Sequence, residues 1–130
     1  MKIILKTPLL IAILVFSGIA GAVDEADFEV KTTQNLINLC TATDDDPRHA
    51  EAIHFCHGYL IGAFHFYKAE HEGGDGIPLF CIPEPKPTRN ESIAMFVTWA
   101  QNHTEHMNEL PVETEFRFLI ETWPCDPSSK

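Results

Sequence analysis

Four cysteines, Cys40, Cys56, Cys81 and Cys125, constrain this 130-residue chain more than any other feature. They stand 16, 25 and 44 positions apart, so none forms the close Cys pair that a zinc site uses. An even number of cysteines in a short exported chain points to a disulfide framework instead. The N-terminus supplies the export context. Lys2 and Lys6 form a basic start, and Pro8 to Ile19 is an apolar run broken only by Ser17 and Gly18. Ala20-Gly21-Ala22 then offers the small residues of a signal-peptidase site. The run is short for the roughly 20 residues of a membrane span. Residues 1–22 are therefore read as a signal peptide cleaved after Ala22, and the mature chain is expected in the periplasm or outside the cell, free of the membrane.

The remaining 108 residues, 23–130, suffice for one domain with its core at about 33–125. A domain of this size often relies on cross-links to supplement a small core. Cleavage also removes Lys2 and Lys6, leaving seven basic residues against nineteen acidic ones. Such a surface repels nucleic acid and anionic lipid and draws a basic partner inward.

The apolar periodicity predicts helices and no strand, hence an all-α bundle of about four helices. Val23 to Val30 is acidic and reads as frayed. Thr33 to about Ala42 is a short helix with Leu36, Leu39 and Cys40 on one side. Asp44-Asp45-Asp46 suits the start of the next helix, where the dipole favours negative charge. Arg48 to His71 is the main helix. Its apolar half-circle contains Ala52, Phe55, Cys56, Tyr59, Leu60, Phe64, Phe66 and Tyr67, and its other face contains His54, His57, Gly58, Ile61, His65 and Lys68. Gly58 and Gly62 weaken a helix by up to about 1 kcal/mol each, a cost repaid where another backbone, of this chain or of a partner, approaches closely. A homodimer is one way to use them. Residues 72–87 form a long irregular loop that contains Cys81, and long loops in small domains are often functional. Thr88-Arg89-Asn90-Glu91 is a capping box opening a helix to about Asn102. The last helix runs from about Glu109 to Trp123, with Val112, Phe116, Leu119, Ile120 and Trp123 facing inward. Only the tail from Asp126 reads as disordered.

No constellation of side chains points to catalysis or a cofactor. His54 and His57 are three apart, as are His103 and His106, but no acidic residue completes a metal-ligand set at helical spacing on the main helix. Metal carriage by these histidines is a minor alternative. A Cys–His nucleophile needs a free thiolate beside a base, whereas His57 diverges from Cys56 by 100° and pairing accounts for every cysteine. Glu113 and Glu115 do not share a face. Gly73 to Gly76 lacks the Lys and the following helix of a phosphate cradle. Trp99 and Trp123 read as core residues.

Together these segments resemble the Rap/Tai family of immunity proteins of type VI secretion systems. The residues that carry the likeness are Leu36 to Cys40, then Cys56-His57-Gly58-Tyr59-Leu60-Ile61-Gly62, then Phe80-Cys81-Ile82-Pro83, and finally Phe118 to Cys125 with its closing Trp123-Pro124-Cys125. The resemblance covers Thr33 to Cys125. It departs from the family where members often carry His-Pro and this chain has His103-Thr104. It implies a non-enzymatic periplasmic protein that binds and blocks a secreted peptidoglycan amidase. Gly58, Tyr59, Gly62, Pro83, Trp123 and Pro124 would be structural motif residues. His54, His57, Gly58 and His65, with Asp75 and Glu84 of the loop, are the candidate contacts with that effector.

A fainter likeness runs to the periplasmic acid-stress chaperones, and such a stress-response binding role is the second functional alternative. That likeness implies Cys56–Cys81, leaving Cys40–Cys125; the other arrangement is Cys40–Cys56 with Cys81–Cys125. The closed loops are 26 and 86 residues in the first, 17 and 45 in the second. Either set is worth roughly 7–8 kcal/mol in the chain-entropy picture. The first is favoured because Cys56 lies about 12 Å into its helix at 1.5 Å per residue, and the loop before Cys81 is long enough to return that far.

Overall fold

The computed structural model describes residues 22–71 and 76–126. Residues 1–21, where a signal peptide is expected, residues 72–75, including Asp75, and residues 127–130 lie outside the described residues. Those described form four α-helices and no strand, as the periodicity predicts. The helices are α1 (Thr33–Cys40), α2 (His49–His71), α3 (Arg89–Asn102) and α4 (Pro111–Thr122), with short 3-10 turns at Glu25–Glu29 and Thr104–His106. None is long and apolar enough to cross a membrane.

Local chemistry explains the boundaries. The Thr88 hydroxyl accepts from Glu91 N–H at 3.3 Å while the Glu91 carboxylate accepts from Thr88 N–H at 2.7 Å, the capping box read from the sequence. Asp46 opens α2 by accepting from the Arg48 amide at 2.8 Å. Pro111 occupies the first turn of α4, where its missing N–H has no partner to lose. Leu36 and Leu39 of α1, Ala52, Cys56 and Leu60 of α2, Phe96 and Ala100 of α3, and Phe118 and Leu119 of α4 make the core.

The N-terminal segment is not frayed. Val23 and Val30 are buried, and Asp27 is 4 % exposed. The Asp27 carboxylate accepts from Asp24 N–H at 3.0 Å, Asn35 at 3.0 Å and Asn38 at 2.9 Å. Burial pushes its pKa up, but those three donors outweigh burial and hold it below the ordinary value. Phe28 meets the edge of Phe55 at 5.5 Å and carries Arg48 over its face at 4.2 Å. The sequence pattern overlooked this segment because it is held by residues distant in sequence, Asp27 by Asn35 and Asn38 of α1 and Phe28 by Phe55 of α2.

The disulfides are Cys40–Cys56 and Cys81–Cys125, with Cα separations of 5.2 Å and 4.8 Å. This corrects the favoured Cys56–Cys81 and Cys40–Cys125 arrangement. The chain after Gly76 does not return to the middle of α2. Phe80 stacks on Tyr67 at 4.9 Å, near the end of α2, and Cys81 N–H donates to Trp123 O at 2.8 Å, two residues from Cys125. Cys56, wholly buried, instead faces the end of α1 and its Cys40.

The phase of α4 also differs from expectation. Leu119 and Trp123 are buried, but Val112 and Ile120 are exposed, and Phe116 is half-buried. Pro111, Thr114, Glu115 and Phe118 take the inward positions. Thr114 turns inward because its hydroxyl pairs with the Thr33 hydroxyl at 2.7 Å, both residues being fully buried. Thr33 also donates to Glu109 O at 3.2 Å. With its proton on Glu109 O, Thr33 accepts from the Thr114 hydroxyl, so Thr33→Val leaves that buried donor without its partner, and a loss of about 1–3 kcal/mol in denaturant unfolding is expected.

Candidate functional site

Two adjoining surfaces have the chemistry of recognition. The first is the outer face of α2. His54, Gly58, Gly62 and His65 are exposed on it, with His57 and Ile61 half-buried. Burial lowers the pKa of His57, reinforced by the charges of Arg89 and His54. A Cβ built on Gly58 or Gly62 meets no atom within 4 Å. Among the described residues no other backbone approaches the glycines, so packing within the described fold does not account for them. Gly58→Ala and Gly62→Ala are each expected to stabilise the isolated protein by about 0.5–1 kcal/mol, read as a rise in melting temperature.

The second surface is a cleft of ≈ 930 Å³. The C-terminal half of α2 forms one wall and the first two turns of α3 another; α4 and the extended segment from Pro78 to Pro87 complete it. The segment is fastened to α2 by the Tyr67 hydroxyl, which accepts from Leu79 N–H at 2.9 Å, and by the Tyr67–Phe80 stack. It is fastened to the end of α4 by the second disulfide. Lys68, Lys86 and Arg89 line the opening, with Glu84 3.6 Å from Lys86. Glu115 lines the interior, 5 % exposed, and its Oε2 has no hydrogen-bond partner. Burial raises its pKa to about 8, so the carboxyl is mainly protonated at neutral pH.

Of the residues expected at a partner surface, His65 and Glu84 meet at this cleft. His54, His57 and Gly58 lie further toward the start of α2, and Asp75 is outside the described residues. Phe55 and Phe66, expected inside, are 38 % and 70 % exposed. The arc that α2 buries is narrower than its apolar half-circle: among the described residues α1, α4, the Glu25–Glu29 turn and the Phe80 segment cover it, and Phe66 lies outside them. His103 and His106 are drawn into packing. Their rings stack on Trp99 at 4.1 Å and 5.7 Å, and His106 Nδ1 lies 2.9 Å from Glu109. Among the described residues no group of three or more His, Cys, Asp or Glu is placed to hold a metal ion. Glu115 and the cleft escaped the sequence reading; the available signal was an acidic residue sharing a helix face with Phe118 and Leu119.

A small helical domain, closed by two disulfides and presenting an open helix face beside a preformed cleft, belongs to the class of compact protein-binding scaffolds. A family model for Rap1a immunity proteins matches residues 32–125, from the cap of α1 through the last cysteine. The chain belongs to the Rap1a immunity protein family. No curated protein and no solved structure matches it.

Proposed function

We propose that the mature chain resides in the periplasm and neutralises a peptidoglycan amidase delivered by type VI secretion, binding the effector rather than transforming it. The match to Rap1a immunity proteins over all four helices carries this reading, since such a protein implies a secreted effector as partner. The residue-level likeness to Rap/Tai proteins narrows the effector to an amidase. The α2 face around His54, His57, Gly58 and His65, with Glu84 beside it, forms the contact surface. A stapled scaffold loses little conformational entropy on binding, and an acidic surface accelerates capture of a basic toxin.

The N-terminal geometry supports export. Val23 N lies 2.7 Å from Asp46 Oδ2. Cleavage after Ala22 turns that amide into an ammonium facing the carboxylate, so the new chain end is held by a charge-assisted contact.

The test is inhibition of any amidase encoded near this gene. Titrating mature protein should abolish peptidoglycan cleavage near a one-to-one ratio. Gly58→Ala, although more stable alone, should inhibit less well. Absence of any complex with that amidase would contradict the proposal.

A further inference from the structure

Val23 is held at two points. Its side chain is buried in the core, and its N–H donates to Asp46 Oδ2 at 2.7 Å. Asp46 is itself fixed by the turn that precedes α2. Its amide donates to Thr43 O at 2.9 Å, its carbonyl accepts from His49 N–H at 3.0 Å, and its Oδ1 accepts from Arg48 N–H at 2.8 Å. One carboxylate oxygen thus serves the helix start and the other serves position 23. The Val23 contact, followed by that of Arg48, holds the Asp46 carboxyl below its ordinary pKa. Nearby Arg48 is engaged by Glu25 and Glu51, and the His49 ring by Asp44 and Ala42 O. The other charged groups of these two segments, Asp24 and Asp45, are acids. Ala22, by contrast, is exposed and lines a polar hollow of ≈ 250 Å³ with Thr43, Asp45 and Asp46. The chain therefore enters the fold at Val23, with space and polar groups around its nitrogen.

We propose that Asp46 is a receptor for the protein's own processed end, so that removal of residues 1–22 completes the fold. This role rests on the cleavage after Ala22 proposed above. Hydrolysis adds water across the Ala22–Val23 bond: a carboxylate departs on Ala22, and the Val23 nitrogen takes up protons to become an ammonium. The neutral N–H···O contact of the precursor then becomes an ammonium–carboxylate pair at the same place. Charge-assisted hydrogen bonds are roughly twice as strong as neutral ones. The precursor is left less stable than the mature protein, as suits a chain that crosses a membrane unfolded.

Thermal unfolding of three oxidised chains tests this, one starting at Val23, one at Ala22 and one at Gly21. Each is released from an N-terminal fusion by a protease that leaves no added residue, so the result does not depend on where the cell cuts. At pH 6 the Val23 chain should melt roughly 4 °C above the other two, which should agree with each other. Asp46 raises the ammonium's pKa in the folded chain above its unfolded value of about 7.7–8.0. The added stability is therefore fully present below that value and is lost as pH rises through the folded one, so the three chains should coincide at pH 10. Asp46→Asn keeps an acceptor for the Arg48 amide and should erase the difference at pH 6. If that variant does not fold, the pH dependence of the unmutated chains still decides. Equal melting of the three at pH 6, a gap that persists at pH 10, or a gap that survives Asp46→Asn would overturn the proposal. An exported chain beginning elsewhere than Val23 would overturn the cleavage reading, a failure distinct from these.

Discussion

Replacing Cys81 and Cys125 together by alanine is expected to cost about 4 kcal/mol of stability, and replacing Cys40 and Cys56 about 3 kcal/mol. These values follow from the closed loops, 45 and 17 residues long, in the chain-entropy treatment. The two variants should differ in kind as well as size. Cys40–Cys56 joins α1 to the buried side of α2, so its loss is felt in the core, where Cys56 is wholly buried. Cys81–Cys125 ties an exposed segment to the end of α4, and its loss frees the wall of the cleft carrying Lys86. Urea unfolding should show both destabilisations. Proteolysis under native conditions should cut near residues 76–87 only in the Cys81/Cys125 variant. The pairing predicts that a Cys56/Cys81 double replacement breaks both bridges and costs about 7 kcal/mol; a cost of only about 3–4 kcal/mol, with a further loss on replacing Cys40 and Cys125, would contradict it.

Glu115→Gln is expected to be more stable than wild type at alkaline pH, and the gap should close in acid. Burial raises the Glu115 pKa from 4.5 to about 8. In that window the folded chain holds a proton that the unfolded chain has released. Stability from this group is therefore fully present below about pH 4.5 and is lost as pH rises through about 8. One pKa unit corresponds to about 1.36 kcal/mol, so the full effect is about 3–5 kcal/mol. Melting temperatures of the two proteins should nearly coincide at pH 4 and separate by well over 10 °C at pH 9, at about 4–8 °C per kcal/mol for a small domain. His57, whose lowered pKa makes its contribution fall in acid, cancels in the comparison because both proteins contain it. A constant gap across the range would show that Glu115 is charged in the folded protein.

The helices and caps were legible because they depend on neighbours in sequence. Thr88 and Glu91 are three residues apart, and the stripe Ile93, Phe96, Ala100 repeats at helical period, so α3 falls where the pattern places it. The presence of disulfides followed from the number and spacing of cysteines, but their pairing did not. The two arrangements close loops of nearly equal total entropy, and the choice is made by where Phe80 packs on α2. The inward face of α4 was misread for a similar reason. Hydropathy alone ranks Val112 and Ile120 above Thr114 and Glu115, yet the Thr33 hydroxyl across the core turns Thr114 inward. The buried carboxyl and the cleft depend on α2, α3, α4 and the Cys81 segment together, which no single stretch of sequence encodes. The polar and glycine positions on one face of α2 follow from periodicity alone, and that face is exposed or half-buried at His54, His57, Gly58 and His65.

The proposed function depends on a scaffold closed by oxidation after export. Peptide mapping of the protein recovered from the periplasm, digested without reductant and read by mass spectrometry, examines this most directly. A mature chain beginning at Val23 is expected, with Cys40 joined to Cys56 and Cys81 joined to Cys125. Free thiols, an intact residue 1–22 segment, or a Cys56–Cys81 peptide would contradict it.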